Sequence, residues 1–137
     1  MRRYLLDTGP LAALLLARPA AVARLDPLLA RGELATSLLV YGEVVEYLKG
    51  FGRDYERHRT ALLDLLAAVH PYVLTLRIME RYAEVRRAMR RPYGEGLIGD
   101  VDTLIAATAL QYGLTVVTLD AHFERVPGLT VQRLEVP

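Results

Sequence analysis

Short apolar runs alternate along this chain with longer segments in which apolar residues recur at helical spacing. The short runs predict strands at residues 4–6, 34–36, 72–74 and 115–118, with a last strand near residues 130–134. Short strands separated by helices favour right-handed crossovers and parallel pairing, with helices on both faces of the sheet. The pattern therefore predicts an α/β fold, in which functional side chains gather at the carboxyl ends of the strands.

Capping and breaking residues delimit the helices between these strands. Helices are predicted over residues 11–17, 20–30, 38–50, 54–68, 76–91 and 100–112. Ser37 and Thr75 are typical N-cap residues, and Gly113 is typical of a position just past a helix end. The segment 93–99, which follows Pro92, is predicted to be a loop.

The composition fits one globular domain over residues 1–137. Hydrophobic residues make up 53% of the chain and charged residues 24%, which is typical of a folded domain. The absence of cysteine excludes disulfides and thiolate zinc sites. No apolar run reaches the length of a membrane span, and Asp7 and Pro10 interrupt the amino-terminal segment that imitates an export signal. We therefore expect a cytoplasmic protein with no membrane partner.

Arginines cluster at the end of the helix predicted over residues 76–91. The formal net charge is only +1, yet Arg86, Arg87, Arg90 and Arg91 lie close together in the sequence. Arginine favours bidentate contacts with phosphate, so Arg87, Arg90 and Arg91 are candidate RNA-binding residues. The alternative is a solvated helix face in an arginine-rich protein. The cluster indicates nucleic acid only in combination with a catalytic site.

Four acidic residues, Asp7, Glu43, Asp102 and Asp120, each lie beside an apolar segment that directs them towards the interior. Asp7 and Asp120 fall at or just after the carboxyl ends of two predicted strands. Taken singly, each is an ordinary turn or N-cap residue, but their equivalent positions in the sheet favour a shared site. Glu43 lies mid-helix, where a half-exposed surface residue is the alternative.

Helical spacing separates Asp102 from Asp100. Two residues subtend about 200° on a helix, so only one of the two can face the interior. Asp102 shares its face with the apolar Ile105 and Ala109, which favours Asp102 as the inward residue. Asp100 is then expected to cap the helix or to act as an outer-shell ligand.

A pocket that holds several carboxylates predicts a divalent metal ion. Like charges raise each other's pKa values unless a cation neutralises them. Carboxylates without cysteine favour a hard cation, Mg²⁺ or Mn²⁺, over zinc, and His58, His70 and His122 show no ligand spacing. Such ions activate water and stabilise charge on a phosphodiester oxygen, so phosphodiester hydrolysis is the leading chemistry.

Five segments of the sequence match motifs of a known family. They are residues 5–8 (Leu-Leu-Asp-Thr), 36–37 (Thr-Ser), 42–43 (Gly-Glu), 102–107 (Asp-Thr-Leu-Ile-Ala-Ala) and 118–123 (Thr-Leu-Asp-Ala-His-Phe). In their order they resemble the PIN domain, and specifically the VapC-type toxins, over essentially the whole chain. The resemblance implies a single domain with a five-stranded parallel sheet flanked by helices. It also implies a Mg²⁺- or Mn²⁺-dependent endoribonuclease, usually dimeric and inhibited by a small antitoxin protein.

The resemblance also implies roles for individual residues. The family's acidic catalytic quartet corresponds to Asp7, Glu43, Asp102 and Asp120. Of these, Asp7, Asp102 and Asp120 are the expected metal ligands. Thr8 and Thr118 match frequent hydroxyl positions, which would orient the carboxylates or a water.

Other interpretations of the sequence compete with this one. Residues 94–99 satisfy the pattern G-x-G-x-x-G, but a dinucleotide fingerprint must follow a strand and this segment follows a helix. A receiver-type signalling domain would need an Asp at the end of the strand at residues 72–74, and none is there. Two alternatives remain open: an RNA-processing PIN nuclease outside a toxin–antitoxin pair, and a catalytically inactive module that binds RNA or protein.

Overall fold

The computed structural model describes residues 1–135 and contains one parallel sheet. Its strands are β1 (Tyr4–Leu6), β2 (Leu34–Ser37), β3 (His70–Tyr72), β4 (Thr115–Thr118) and β5 (Val131–Arg133). The α-helices of this described part are α1 (Thr8–Leu15), α2 (Pro19–Ala30), α3 (Leu38–Leu48), α4 (Tyr55–Leu66), α5 (Leu76–Met89) and α6 (Asp100–Tyr112). Two 3-10 segments, Lys49–Asp54 and Ala121–Arg125, join α3 to α4 and β4 to β5.

The sheet places β1 at its centre. The strand order is β3-β2-β1-β4-β5, and each neighbouring pair is parallel. Leu5 and Leu6 of β1 are fully buried, as expected for a strand covered by helices on both faces. Because all strands run in the same direction, their carboxyl ends meet at one edge. The predicted five-stranded parallel α/β fold is confirmed.

Several predicted helix boundaries are confirmed because their capping residues act as expected. Ser37 Oγ accepts a hydrogen bond from the backbone N–H of Leu39 at 3.1 Å, and Thr75 Oγ1 accepts one from Ile78 at 3.2 Å. Gly113 follows α6 in the left-handed conformation, with a φ of 66°, which glycine adopts without steric cost. These local signals place α3, α5 and α6 correctly in the sequence.

The third strand was predicted in the wrong place. β3 spans His70–Tyr72 instead of residues 72–74, and it pairs only with β2 at the edge of the sheet. Pro71 is tolerated because an edge strand needs ladder hydrogen bonds on one side only. The apolar Val73 and Leu74, which suggested the strand, are exposed instead.

Helix α5 ends at Met89, before the predicted end at Pro92. Arg90 already has extended backbone angles, with φ −64° and ψ 133°. The chain then folds back on the helix so closely that a Cβ at Gly94 would overlap the carbonyl oxygen of Ala88. Glycine is required there by close backbone approach, and this contact sets the start of the loop that leads to α6.

Helix α6 is buried on more than the one face predicted from its sequence. Ile105 and Ala109, on the predicted inner face, are fully buried, but Thr103 and Ala107 on the opposite face are buried as well. Both β4 and α5 pack against this helix, so neither of these faces is open to solvent. Within residues 1–135, no helix combines the length and the apolar character needed to cross a membrane.

Candidate functional site

Two neighbouring strands deliver the first two predicted carboxylates to the same edge of the sheet. Asp7 directly follows β1, and Asp120 comes two residues after β4. The two strands pair in parallel, and the backbone N–H of Asp7 donates to the carbonyl of Val117 at 2.9 Å. Asp7 and Asp120 are therefore brought together, as predicted from their positions at strand ends.

The hydroxyl of Thr118 connects these two acidic residues. Thr118 is fully buried at the end of β4, and its Oγ1 donates a hydrogen bond to Asp7 Oδ2 at 2.8 Å. The same oxygen accepts a hydrogen bond from the backbone N–H of Asp120 at 3.0 Å. One buried hydroxyl thus holds both the carboxylate that follows β1 and the backbone that follows β4.

Asp7 lies in surroundings that disfavour its negative charge. Burial raises the pKa of Asp7, and the nearby charges of Glu43 and Asp120 raise it further. The hydrogen bonds from the Thr118 hydroxyl and the Thr8 backbone lower the pKa but do not cancel the effect of burial. A half-buried carboxylate of this kind is stabilised when a cation binds beside it.

The pKa of Asp102 is raised more than that of Asp7. Asp102 lies in the first turn of α6, and desolvation raises its pKa to about 6. The negative charges of Asp7, Asp120 and Glu43 each raise this pKa as well. The four acids predicted from widely separated parts of the sequence therefore lie within electrostatic reach of one another in the folded chain.

Glu43 occupies the exposed side of this cluster. It lies on α3 and is exposed to solvent. Exposure was the alternative considered for this mid-helix glutamate in the sequence. Thr8, the first residue of α1, donates a hydrogen bond from its Oγ1 to Glu43 Oε1 at 2.6 Å. Thr8 and Thr118 thus each hold one carboxylate, which is the kind of contact that their sequence positions suggested.

The structure adds His122 to the site, although this histidine shows no ligand spacing in the sequence. One ligand atom each from Asp102, Asp120 and His122 lie within 4.8 Å of one another. Asp120 caps the 3-10 segment Ala121–Arg125, and its Oδ1 accepts the backbone N–H of His122 at 2.8 Å. This short turn folds the imidazole back towards the carboxylates. The sequence signal for this histidine is the Asp-Ala-His segment at residues 120–122, which follows a strand.

Asp100 does not cap α6, so one of the two roles predicted for it is wrong, and the other, as an outer-shell ligand, stays a prediction. The N-cap position is occupied by Gly99, and Asp100 is the first residue of the helix. Its Oδ1 accepts hydrogen bonds from Arg86 Nη1 at 2.7 Å and from the Tyr82 hydroxyl at 3.2 Å, both on α5. The Asp100 carboxylate therefore links α6 to α5. It points away from Asp102, because two residues along a helix differ by about 200° in direction.

The predicted RNA-binding arginines lie at the end of α5 and in the loop after it. Arg87, Arg90 and Arg91 are all exposed, whereas Arg86 is engaged with Asp100. Arg91 donates from its Nε to the carbonyl of Glu95 at 3.2 Å, a contact inside the loop. Their exposure is compatible with contact to phosphate, and their role stays a prediction.

The family model of the PIN domain matches residues 4–129, which is nearly the whole chain. The chain belongs to the PIN domain family. PIN domains are generally nucleases, so the acidic cluster at the carboxyl edge of the sheet lies in a nuclease fold. No curated protein matches the chain with significance.

The PIN fold of this chain is similar to chains in solved toxin–antitoxin structures. VapBC2 from Rickettsia felis, bound to a DNA fragment from its promoter, has a chain with a TM-score of 0.82 at 22% identity, covering 96% of this chain and 98% of that chain. DNA-bound VapBC from Salmonella typhimurium gives 0.83 at 20% identity, covering 98% and 100%. VapBC-1 from nontypeable Haemophilus influenzae gives 0.78 at 25% identity, covering 96% and 97%. These three structural neighbours carry the VapBC name, and the sequence motifs resemble VapC-type toxins.

Ligand atoms of Asp102, Asp120 and His122 lie close enough together to hold a divalent cation, and Asp7 lies near Asp102 and Asp120 but outside this group of three. Asp7 and Asp102 both have raised pKa values, so the site carries negative charge that is poorly compensated by the protein itself. Carboxylate oxygens are the preferred ligands of Mg²⁺ and Mn²⁺, and Asp120 adds a third carboxylate. The imidazole of His122 extends this set to a nitrogen donor.

Proposed function

We propose that this PIN domain is a Mg²⁺- or Mn²⁺-dependent endoribonuclease that hydrolyses RNA phosphodiester bonds and is the toxin of a toxin–antitoxin pair. The observation that carries the proposal is the electrostatic coupling of Asp7, Asp102 and Asp120 at one edge of the sheet, with the pKa of Asp102 raised to about 6. Such a cluster is costly in a folded protein unless it holds a cation. The PIN family membership makes nuclease chemistry the use of that cation.

Each acidic residue has a distinct part in the proposed reaction. Asp7, Asp102 and Asp120 would hold the ion, which when bound supplies an acidified water and a positive charge beside the scissile phosphate. Glu43 is exposed and held by Thr8, so it can accept a proton at the open side of the site. Thr118 positions Asp7 through its hydrogen bond and does not need to touch the substrate.

RNA cleavage by purified protein tests this proposal directly. Wild type should cleave structured RNA when Mg²⁺ or Mn²⁺ is added and should stop when EDTA is added. Asp7→Asn and Asp102→Asn should lower the cleavage rate by a factor of about 100 or more, since each removes a charged ligand of the ion.

Asp26→Asn is the matched control, because Asp26 is an exposed residue of α2. It should cleave RNA at the wild-type rate. If wild type and the site variants cut equally, the activity belongs to a contaminant. If wild type cuts no RNA that is offered, the inactive binding module becomes the better explanation.

The proposed toxin role includes a small antitoxin protein as partner. The solved neighbours named VapBC support this partner, because the motifs of this chain resemble VapC-type toxins. An apolar groove of about 280 Å³ lies beside Thr8, between α1 and α3, and is lined by Ala12, Leu16 and Tyr47 among others. Gly9 lets Leu119 pack at this groove, since a Cβ at Gly9 would lie 2.7 Å from Leu119 Cδ1. The groove gives an apolar segment of an antitoxin a place to bind next to the acids.

Expression in bacterial cells separates a toxin from a housekeeping nuclease. Induction of wild type should arrest growth, Asp102→Asn should not, and coproduction of a cognate antitoxin should restore growth. If wild type cleaves RNA in vitro but leaves growth unchanged, the RNA-processing PIN nuclease is supported. We further propose that the protein acts in the cytoplasm, where its RNA substrate is found, and as a homodimer.

A further inference from the structure

We infer that His122 is a nitrogen ligand of the metal ion in this site and shifts the site's preference from Mg²⁺ towards Mn²⁺. The inference rests on the proposed metal-dependent function and adds a ligand that the acidic quartet does not contain. It starts from the grouping of Asp102, Asp120 and His122 around one point in the folded chain.

The distances around His122 suit two ligands of the same ion. His122 Nδ1 lies 3.2 Å from Asp120 Oδ2. Two adjacent ligands of an octahedral ion, each about 2.1 Å from it, lie about 3 Å apart. With Asp102 included, the three donor atoms lie within 4.8 Å of one another. Opposite ligands of such an ion lie about 4.2 Å apart, so a small side-chain adjustment brings all three atoms into one coordination shell. The same spacing across unrelated surface residues would be coincidental, but here two of the three groups are proposed ligands.

The backbone around His122 restricts where its imidazole can go. Asp120 Oδ1 accepts the backbone N–H of His122 at 2.8 Å, while Asp120 N–H donates to the buried Thr118 hydroxyl. The turn that carries the histidine is therefore held by Asp120 and by the Thr118 hydroxyl, which also positions Asp7. A ligand held on a short, hydrogen-bonded turn loses little conformational freedom when an ion binds.

A nitrogen donor has a predictable effect on the choice of metal. Mg²⁺ demands oxygen ligands and gives up water reluctantly, so an imidazole adds little to its binding. Mn²⁺ accepts carboxylate oxygen together with imidazole nitrogen, and first-row metals gain more from nitrogen than Mg²⁺ does. Replacing the imidazole with a carboxylate should therefore move the preference back towards Mg²⁺.

The two other histidines of the chain provide matched controls. His58 packs edge-on against Phe51, with ring centroids 4.9 Å apart, and His70 packs against Tyr72 at 4.5 Å. Neither belongs to the metal-ligand group found within residues 1–135. His58→Gln and His70→Gln each remove an imidazole of the same chemistry from elsewhere on the molecule.

Pulsed electron paramagnetic resonance of the Mn²⁺-loaded protein tests the inference without relying on activity. Wild type, His58→Gln and His70→Gln should each show the ¹⁴N modulation of an imidazole bound to Mn²⁺, and His122→Gln should lack it. The side chain of His122 is 58% exposed, so the substitution should not disturb folding, which thermal unfolding of the metal-free protein checks. Absence of ¹⁴N modulation in wild type, or its persistence in His122→Gln, would overturn the inference.

Calorimetric titration with Mn²⁺ alone and with Mg²⁺ alone gives a second test. His122→Asp should lower the ratio of Mn²⁺ to Mg²⁺ affinity by about tenfold, since the site becomes entirely carboxylate. An unchanged ratio would contradict the inference. RNA cleavage by wild type is measured separately. If His122 does not bind the metal but wild type cleaves RNA, only this inference fails; if wild type cleaves no RNA, the proposed nuclease function fails.

Discussion

At the residue scale, Thr118 determines the relation between two carboxylates that are far apart in the sequence. Its buried hydroxyl donates to Asp7 and accepts from the backbone N–H of Asp120. Both partners lose a hydrogen bond if the hydroxyl is removed. Thr118, which the resemblance marked as a hydroxyl that would orient the carboxylates or a water, thus holds one carboxylate and the backbone that carries another.

Replacing Thr118 with Val should destabilise the protein and weaken its site. Valine has the same shape but no hydroxyl, so Asp7 and Asp120 N–H lose their partner at a cost of about 1–3 kcal/mol in the free energy of unfolding. Urea unfolding at neutral pH measures this cost. Thr118→Ser keeps the hydroxyl and is the control, with a loss of about 1 kcal/mol for the buried methyl group. Equal stability of Thr118→Val and wild type would contradict the assigned role.

Asp102 makes the stability of the metal-free protein depend on pH. Its pKa is about 6 in the folded chain and near 3.8 in an unfolded one, so the folded protein binds the proton more tightly. The contribution of Asp102 to stability should therefore be greatest below about pH 4 and should fall as the pH rises from about 4 through 6. Asp7, whose pKa is also raised, acts in the same direction.

Asp102→Asn should remove part of this pH dependence. Above pH 6 the variant should be more stable than wild type by about 1 kcal/mol in EDTA, because the half-buried charge is gone and solvent screening limits the gain. Urea unfolding at pH 4.5 and pH 7.5 measures the difference, with Asp26→Asn as a control that keeps the wild-type slope. A wild-type slope in Asp102→Asn would show that this carboxylate is not the group that titrates.

At the element scale, the first turn of α6 directs two aspartates to different tasks. Asp102 enters the acidic cluster, whereas Asp100 meets Arg86 and Tyr82 on α5. The rotation of about 200° between them is a property of any α-helix, and it made the choice between the two residues predictable. The partner of Asp100 was not predictable, because it depends on how α5 packs against α6.

Metal titration should separate the two aspartates of α6. Asp100→Asn should leave Mn²⁺ affinity within about twofold of wild type. The carboxylate of Asp100 forms an ion pair with Arg86 near the surface, and such pairs contribute little to stability. Asp102→Asn should lower the affinity by a factor of about 10 to 100. Isothermal titration with Mn²⁺ checks both, and an equal loss in the two variants would restore Asp100 as a ligand of the site.

At the scale of the whole molecule, apolar side chains remain exposed where β2 and β3 end. Leu38, Val73 and Leu74 directly follow the paired ends of these strands, and Leu76 and Met79 lie at the start of α5. Leu76 is 84% exposed. A second copy of the chain is the partner that the resemblance to dimeric toxins suggests, so we expect these side chains to lie in the interface of the proposed homodimer.

Light scattering after size-exclusion chromatography should detect this dimer. Leu76→Glu should shift the protein towards the monomer, because a charge would be buried at the apolar contact. Leu63→Glu is the control: Leu63 is also exposed, at 44%, but lies on α4. A monomeric wild type would refute the dimer, and a dimer that survives Leu76→Glu would place the interface elsewhere.

The sequence by itself determined the fold class, the caps of α3 and α5, the end of α6, and the strand ends that carry Asp7 and Asp120. These features depend on local periodicity and capping, which act between residues close together in the chain. The placement of β3, the second buried face of α6, the partner of Asp100 and the approach of Asp102 to Asp120 and His122 were decided by the tertiary structure. Each depends on how distant segments pack, and a side chain's neighbours across a sheet or between helices leave no local signal in the sequence.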